Sequence, residues 1–493
     1  MKKVVKKKKN NKILKIMSII LLILSIFSFS VLLYFDILPK TYLIIVGIIS
    51  TIIIFLTVHN LNNSTNFFIK GICLLLTLMF IVAELFLCIY SFGTIDFLNN
   101  IYDTGYRSED YGLYVLSDDI KSIKDLNNKT IGYLKDDGNI DKALNKLNNK
   151  IKYEKQEYDS ITSGVNSLKK QDIDGLYINE ALMSVYLDEH KDVLNKISSI
   201  EILVKNKSDF KTVNVTKKPF AIYISGIDTT GKVNKSARSD VNILAFVNPN
   251  TGKVLLVNTP RDFYVELYSK KSNDKLTHAG IYGIEESAKT LGLLYDVDVN
   301  YYFRINFTSF IKIIDDLGGI VVDVDKPDFR YNENNFDCGI GYICEQNSKR
   351  EWGDKTIYIK AGKGIKLNGE QALAYSRNRH QFADGDIARG KHQGQIIKAI
   401  IEKVVSPSII TKYNSILKDL SKGVITNIDQ NTITKLINFQ LDNNVKWDIE
   451  SISAKGENAY DVCYSLGNYK AFVLKPNEES LQEIKEKVQE IMN

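Results

Sequence analysis

The chain has 493 residues, which is more than one hydrophobic core usually organises, so several domains are expected. Its 64 lysines and arginines against 58 acids give a net charge of +6. Residues 1–92 hold ten lysines and two acids, which leaves 54 of the basic and 56 of the acidic residues in the remainder. That near-neutral remainder excludes the broad basic surface typical of nucleic-acid-binding proteins, so no nucleic-acid partner is expected.

The chain begins with three long apolar stretches, at residues 16–35, 42–58 and 72–92. Each is long enough to cross a bilayer as a helix. Eight lysines precede the first stretch, so the positive-inside rule places the N-terminus in the cytoplasm and everything after the third crossing outside. Residues 1–92 are therefore predicted to anchor a multi-pass protein in the cell membrane, with extracytoplasmic C-terminal domains.

Two details of these stretches matter. A cleaved signal peptide is the alternative for the first, but no small-residue cleavage pattern follows it. The third contains one acid, Glu84, which is expected to face a neighbouring helix.

Residues 105–205 have the pattern of a small α/β accessory domain. Apolar runs predict strands at 130–134 and 175–178. Helical spacing predicts two helices between them, at 140–147 and 161–168. The phrases at 125–133 and 172–180 are similar to part of a type II solute-binding module. A polar, lysine-rich segment at 205–218 is predicted to be the linker to the next domain.

Residues 219–493 are predicted to form a second, larger α/β domain. Strands are expected at 220–226, 242–246, 253–257, 301–305 and 320–324. Helices are expected at 307–317, 367–375, 388–405 and 478–492.

The segment 326–360 has little periodicity and is expected to be a surface insertion. It contains Cys338 and Cys344, whose extracytoplasmic location permits a disulfide, although two free thiols remain an open alternative. No spacing among the five cysteines resembles a zinc site.

The use of arginine rather than lysine at a few positions is the most informative feature of the larger domain. The chain has nine arginines, and five of them fall in four short polar phrases, at Arg238, Arg261, Arg377, Arg379 and Arg389. Arginine grips phosphate oxygens at two points and keeps its proton, whereas lysine is a mobile point charge. Most of these phrases follow predicted strands or flank helices, where ligands bind in α/β folds. A phosphate-binding site is predicted, and five surface ion pairs are the alternative.

Acids and an amide accompany these arginines. Asp228 and Asp240 lie at neighbouring strand ends and are suited to hold magnesium, although each alone is more simply a turn residue or a cap. Asp386 lies in the N-capping region of the helix predicted at 388–405. Arg389 and Gln393 are four apart and share a face of that helix.

Across residues 220–405 the chain resembles the LytR-CpsA-Psr family. The resemblance is carried by phrases in the family's order, at 224–228, 238–240, 258–262, 275–279, 316–323, 367–375, 377–379 and 386–389. It implies an α/β catalytic domain with a central mixed sheet and an apolar pocket for a polyprenyl chain. It also implies that a magnesium or manganese ion and the arginines bind the pyrophosphate head.

By matching positions, the resemblance assigns roles to single residues. Asp228 and Asp240 look like metal ligands, and Asp386 and Gln393 look like supporting site residues. The pyrophosphate-binding residues look like Arg238, Arg261, Arg377, Arg379 and Arg389. His392 stands where the family often has arginine, which makes one positive charge optional or pH-dependent. His278 is expected to be structural.

The implied function is a phosphotransferase that moves a glycopolymer phosphate from a polyprenyl-pyrophosphate carrier onto peptidoglycan. The attached polymer would be teichoic acid or capsular polysaccharide. Three spans followed by an accessory domain are similar to the capsule-related branch, and the expected partners are the lipid-linked polymer, the peptidoglycan acceptor and membrane lipid. The alternatives are a polyprenyl-pyrophosphate hydrolase and a non-catalytic membrane-bound regulator or sensor of the cell envelope.

Overall fold

The computed structural model describes residues 12–34, 40–63, 66–103, 105–205, 210–227, 233–332, 334–404, 423–467 and 469–493. They fall into two compact units. The first comprises residues 1–100 with 429–445, and the second comprises 101–428 with 446–493.

The first unit contains three apolar helices, α1 (Lys12–Tyr34), α2 (Lys40–Asn63) and α3 (Phe67–Ile101). All three are long and apolar enough to cross a membrane, as predicted. Glu84 on α3 accepts hydrogen bonds from Ser25 and Ser28 on α1, the first at 3.1 Å. The expected contact of this acid with a neighbouring helix is therefore confirmed, and two hydroxyls satisfy a carboxylate that would be costly in an apolar environment.

The second unit begins with a five-stranded sheet. Its elements are β1 (Tyr106–Val115), β2 (Thr130–Leu134), α4 (Ile140–Asn148), β3 (Glu154–Tyr158), α5 (Ile161–Lys169), β4 (Gly175–Asn179), α6 (Glu180–His190) and β5 (Asn195–Lys205). The strand order is β3-β2-β4-β1-β5, in which β2 is parallel to β3 and β4 while β1 is antiparallel to β4 and β5. The predicted strands and helices are confirmed here, and β1, β3, α6 and β5 were not predicted.

The rest of the second unit is larger. Its first half contains β6 (Phe220–Ile227), β7 (Val241–Asn248), β8 (Lys253–Asn258), β9 (Tyr264–Glu266), β10 (Asn273–Lys275), α7 (Leu276–Ala279), α8 (Ile284–Tyr295), β11 (Tyr301–Asn306), α9 (Phe307–Asp316) and β12 (Ile320–Val324). Then follow β13 (Tyr342–Glu345), β14 (Ile357–Lys360), β15 (Gly362–Leu367), α10 (Gly369–Arg377), α11 (Asp386–Val404) and β16 (Val424–Thr426). Helix α12 (Gln430–Asn443) belongs to the first unit, and the chain continues with β17 (Asp448–Ser453), β18 (Gly456–Val462), β19 (Lys470–Pro476) and α13 (Glu478–Met492).

A six-stranded mixed sheet is the centre of this part, with the order β16-β11-β6-β7-β8-β17. Strands β6, β7 and β8 are antiparallel, whereas β11 is parallel to β6 and β17 is parallel to β8. One face packs against α8 and α13 through Leu291 and Ile484, and the other packs against Ile397 of α11. The strands are apolar on both faces because helices cover both. The predicted mixed α/β fold is confirmed.

The insertion between β12 and β15 is more ordered than its sequence suggested. It forms the antiparallel hairpin β13–β14, and Cys338 and Cys344 are joined in a disulfide. The periodicity of two four-residue strands is too short to be recognised from sequence.

Candidate anion-binding site

Backbone hydrogen bonds gather three loops near the ends of β6, β7 and β8. The amide of Asp240 donates to the carbonyl of Gly226 at 2.9 Å, and the amide of Ser239 donates to that of Thr277 at 3.2 Å. The amide of Thr277 in turn donates to the carbonyl of Arg261 at 2.8 Å. These bonds place Arg261 beside Asp240, and its Nη1 atom lies 3.0 Å from Asp240 Oδ1.

Two glycines bring α11 close to the same strand ends. A Cβ atom at Gly390 would lie 2.1 Å from Asn258 Nδ2, and one at Gly394 would lie 2.1 Å from Ser451 Oγ. No side chain fits at either distance, so glycine lets the helix lie directly on β8 and β17. This packing carries Arg389 towards Arg261.

The result is a group that we call the arginine cluster: Asp240, Arg261, Arg379, Asp386 and Arg389. Asp386 is its central acid, because its Oδ1 atom lies 3.3 Å from Arg379 Nη1 and 2.9 Å from Arg389 Nη2. The side chains of Arg261 and Arg379 are about one third exposed, at 32% and 31%, so the cluster can be reached from solvent. Three guanidinium groups thus share two carboxylates.

The guanidinium groups of the cluster lie in different electrostatic environments. Burial lowers the pKa of Arg389, Asp386 opposes that effect, and the positive charges of Arg261 and Arg379 lower it further. Burial also disfavours the charge of Arg261, but Asp240 and Asp262 outweigh it and the pKa of Arg261 is raised. Arg261 Nε is buried and has no hydrogen-bonding partner among the described residues. An oxyanion would both accept from this donor and relieve the repulsion.

Other predicted site residues bond elsewhere. Arg238 forms an ion pair with Asp188 on α6. Arg377 donates to the backbone carbonyls of Gln346 and Asn347, and its charged neighbours include Glu345, Arg350 and Glu370. Gln393 is buried and donates to the carbonyl of Ser376 at 3.1 Å. The structure does not bring these three side chains into the cluster, and Asp228 lies outside the described residues.

Two charged residues beside the cluster were missed. Asp262 is buried, and its Oδ2 atom lies 3.6 Å from Arg261 Nε. Lys275 is also buried and lies 3.9 Å from Asp262 Oδ1 and 2.6 Å from Glu189 Oε1 on α6. Both stand within the phrases 258–262 and 275–279, which carried the family resemblance, so that signal was available.

The disulfide-bonded insertion supports the loop that carries Arg379. Gln381 is fully buried, and its Oε1 atom accepts from the amide of Cys344 at 2.9 Å. Its Nε2 atom donates to the carbonyls of Tyr342 and Phe329 at 3.1 and 3.2 Å. Asn378 adds a bond to the carbonyl of Cys344 at 3.2 Å. The connection between α10 and α11 is therefore fixed to β13.

His278 and His392 are both structural. His278 is buried and lies 2.6 Å from Asp274 Oδ1, as expected. His392 is stacked on Tyr375, with ring centroids 4.1 Å apart, and burial lowers its pKa. Because the ordinary value is already near 6.5, His392 is neutral at neutral pH and adds no positive charge.

Asp240 is the predicted metal ligand that the structure describes. Its Oδ1 atom accepts from Arg261, and Oδ2 has no hydrogen-bonding partner among the described residues. Within those residues there is no group of three or more His, Cys, Asp or Glu side chains placed to hold a metal by themselves. The carboxylate of Asp240 fits a hard cation such as magnesium, which takes one or two carboxylates from the protein and completes its coordination with substrate phosphates.

A cavity of about 590 Å³ adjoins the cluster at Arg379 and Asp386. Its walls include the apolar side chains Pro260, Phe382, Ile387, Ala454, Phe472 and Leu474. The walls also include the polar or charged side chains of His380, Asp384 and Asn458, so the cavity is mixed in character.

Comparison with known proteins identifies relatives of this chain. TagU of Bacillus subtilis (strain 168), a polyisoprenyl-teichoic acid–peptidoglycan teichoic acid transferase, is 32% identical over 241 residues, which cover 48% of this chain and 70% of that protein. Biofilm regulatory protein A of Streptococcus mutans is 32% identical over 243 residues, which cover 46% of this chain and 55% of that protein. The crystal structure of B. subtilis TagV is 28% identical and covers 56% of this chain and 98% of that one, with a TM-score of 0.42.

The family comparison is the most extensive. The model of the LytR_cpsA_psr family matches residues 185–490, which is more than half of the sequence. This range includes every residue of the arginine cluster and also Asp188 and Glu189 on α6. The chain therefore belongs to the LytR_cpsA_psr family.

Proposed function

We propose that this protein transfers a glycopolymer phosphate from a polyprenyl-pyrophosphate carrier to peptidoglycan. The observation that carries the proposal is the convergence of Arg261, Arg379 and Arg389, with Arg379 at the edge of a cavity whose walls include apolar side chains. The name of the B. subtilis relative, a teichoic acid transferase, supports the same reaction. Teichoic acid and capsular polysaccharide are the two candidate polymers.

In the proposed step, a sugar hydroxyl of peptidoglycan attacks the phosphorus next to the glycopolymer. A new P–O bond forms, the bond from that phosphorus to the bridging oxygen breaks, and polyprenyl phosphate leaves. The hydroxyl proton passes to a carboxylate, for which the site offers Asp240, Asp262 and Asp386. Such a displacement requires positioning and charge neutralisation more than a protein nucleophile.

The arginines supply that neutralisation. Their guanidinium groups are fixed before substrate arrives, so they can stabilise charge on the phosphate oxygens without reorganising. Asp240 and Asp228 would hold Mg²⁺ or Mn²⁺, which would add Lewis-acid stabilisation of the pyrophosphate.

The three apolar helices fit this role. With the N-terminus in the cytoplasm, they would place the second unit outside the cell and near the bilayer that contains the lipid carrier. Confinement of enzyme and donor to one membrane raises their effective concentration.

The test is a transfer assay with the full chain in proteoliposomes that contain the lipid-linked polymer. Polymer attached to added peptidoglycan and polyprenyl phosphate released would be measured together. We expect both products to require the acceptor and to fall together in Arg389→Ala. Release without acceptor would indicate a hydrolase instead.

One relative is named as a biofilm regulatory protein, which favours a regulator as the second candidate. A regulator would bind its ligand without turnover. Normal polymer attachment by a folded, membrane-inserted Arg379→Ala/Arg389→Ala variant would favour that function over transfer.

A further inference from the structure

A second cavity, with polar walls, lies between the five-stranded sheet and the larger part of the second unit. Its volume is about 670 Å³, within the usual range for small-molecule sites. We call it the interdomain cleft, and we define it by Glu109 and Asn139 on one side and Lys270, Tyr282, Glu285 and Tyr464 on the other. None of these residues belongs to the arginine cluster.

The floor of the cleft contains a hydrogen-bond acceptor that has no donor. Glu285 is only 9% exposed, and its Oε1 atom has no hydrogen-bonding partner among the described residues. A buried carboxylate oxygen without a donor is costly, so a ligand that donates to it would be stabilised. Burial raises the pKa of Glu285 and Asp103 acts in the same direction, whereas a backbone hydrogen bond and the nearby charges of Arg107 and Arg304 lower it.

A second buried acid stands in the same cleft. Glu109 is 3% exposed and accepts from Arg107 at 2.8 Å and from Asn139 at 3.2 and 3.1 Å. Burial is the largest influence on Glu109 and raises its pKa. Arg107 and several lysines also line the cleft, so its charges nearly balance, but the buried atom without a partner is a carboxylate oxygen, which disfavours a phosphate at that point.

Aromatic rings form the adjoining wall. The centroids of Tyr282 and Tyr464 are 6.2 Å apart, and Tyr464 is 38% exposed. The ammonium group of Lys270 lies 4.5 Å from the centroid of Tyr282 and 5.8 Å from that of Tyr464. Such a cation–π contact is weak where solvent reaches it, so an incoming ligand can displace the lysine side chain.

We propose that the interdomain cleft binds a neutral saccharide. A sugar hydroxyl would donate to Glu285, and the C–H face of a pyranose ring would stack on Tyr282 or Tyr464. A neutral polyol meets the need for donors without adding negative charge. The binding itself is independent of phosphate transfer; the source of the sugar, either the acceptor glycan or the transferred polymer, rests on the proposed function.

The test is isothermal titration of the full chain in detergent micelles with three probes. Chitotetraose represents an N-acetylated glycan strand, maltotetraose represents a plain hexose polymer, and glycerol phosphate represents an anionic one. We expect one of the two neutral oligosaccharides to bind and glycerol phosphate not to compete with it. The one that binds identifies the source of the sugar.

Variants locate the binding. Glu285→Gln keeps the shape of the floor, and we expect it to weaken saccharide binding roughly 10- to 100-fold, since it removes a charged acceptor. Tyr282→Leu, on the wall of the cleft, should also weaken saccharide binding. It provides an independent test if Glu285→Gln fails to fold. Arg389→Ala should bind the saccharide as the unmodified chain does, which separates this site from the transfer reaction.

Three results would overturn the proposal. They are the absence of binding by both neutral oligosaccharides, binding that both cleft variants leave unchanged in folded protein, and competition by glycerol phosphate. Loss of transfer activity has no bearing on any of them, so the two proposals can fail separately.

Discussion

The arginine cluster and the interdomain cleft are two polar sites in one compact unit, and they arrange charge in opposite ways. In the cluster, Arg379 and Arg389 pair with Asp386, Arg261 pairs with Asp240, and Arg261 and Arg379 remain partly exposed. In the cleft, the acids Glu109 and Glu285 are buried, while the cation Lys270 lies over the rings of Tyr282 and Tyr464. The first arrangement selects an anion, and the second selects a ligand that donates hydrogen bonds.

The comparison also explains the choice of cation. The cluster needs rigid, permanently charged forks that bind two oxygens at once, which arginine provides. The edge of the cleft needs a charge that can move aside, which lysine provides. The following predictions test this distinction.

Removal of a cluster arginine should have the largest effect. Arg389→Ala deletes a nearly buried guanidinium beside Asp386, and loss of one fixed donor to developing charge typically lowers kcat about 10²–10³-fold. The proteoliposome transfer assay measures this change. Arg330→Ala is the matched control, because Arg330 pairs with Asp337 at the exposed surface of the insertion and should retain full activity.

Arg379 and Arg377 should separate into different classes. Arg379→Ala should lower kcat/KM by up to about 10²-fold with little change in Tm, since its side chain is partly exposed and faces Asp386. Arg377→Ala should lower Tm, because this arginine satisfies two backbone carbonyls of the insertion. Assay kinetics and thermal melting of the two variants decide the point; equal kinetic defects with unchanged Tm would place Arg377 in the cluster.

Gln381→Leu should act through the support of the Arg379 loop. It removes four side-chain hydrogen bonds, three of them to backbone groups that are left unsatisfied, at a cost of about 2–4 kcal/mol in the free energy of unfolding. Thermal melting measures the loss, and transfer should fall with it. The exposed Gln482→Leu on α13 is the control; an equal shift in both variants would contradict the supporting role.

The smallest effect is expected at the contact between α6 and Arg238. Asp188→Asn removes the acid that pairs with Arg238, which would free that arginine for the lipid-linked donor. Because the pair is partly exposed and worth about 0–1 kcal/mol, KM for the donor should fall by no more than about fivefold. An increase in KM would show that the pair positions Arg238 productively.

Much of the fold follows from local sequence pattern. The strand at 130–134 and the helix at 478–492 have the predicted bounds, since an apolar run or an amphipathic period defines each. The alternation of buried and exposed residues at the end of β5 was an unused local signal, whereas β17 was missed because its pairing with β8 depends on residues distant in sequence. Long-range pairing is not encoded in a local period.

The site divides in the same manner. Residue type, position at strand or helix ends and the family resemblance selected Arg261, Arg379, Arg389, Asp240 and Asp386, and the structure brings them together. The sequence could not predict that Asp188 would pair with Arg238, or that carbonyls of the insertion would bind Arg377. Those partners are supplied by segments whose position depends on tertiary packing.

The central claim is that the arginine cluster binds a pyrophosphate. Its most direct test is isothermal titration of the full chain in detergent micelles with farnesyl pyrophosphate, comparing the unmodified protein with Arg389→Ala. The account predicts binding that weakens at least about tenfold in the variant, as expected for loss of a charge-assisted hydrogen bond, with Arg330→Ala unchanged. Equal affinity in the unmodified protein and Arg389→Ala, or no binding at all, would contradict it.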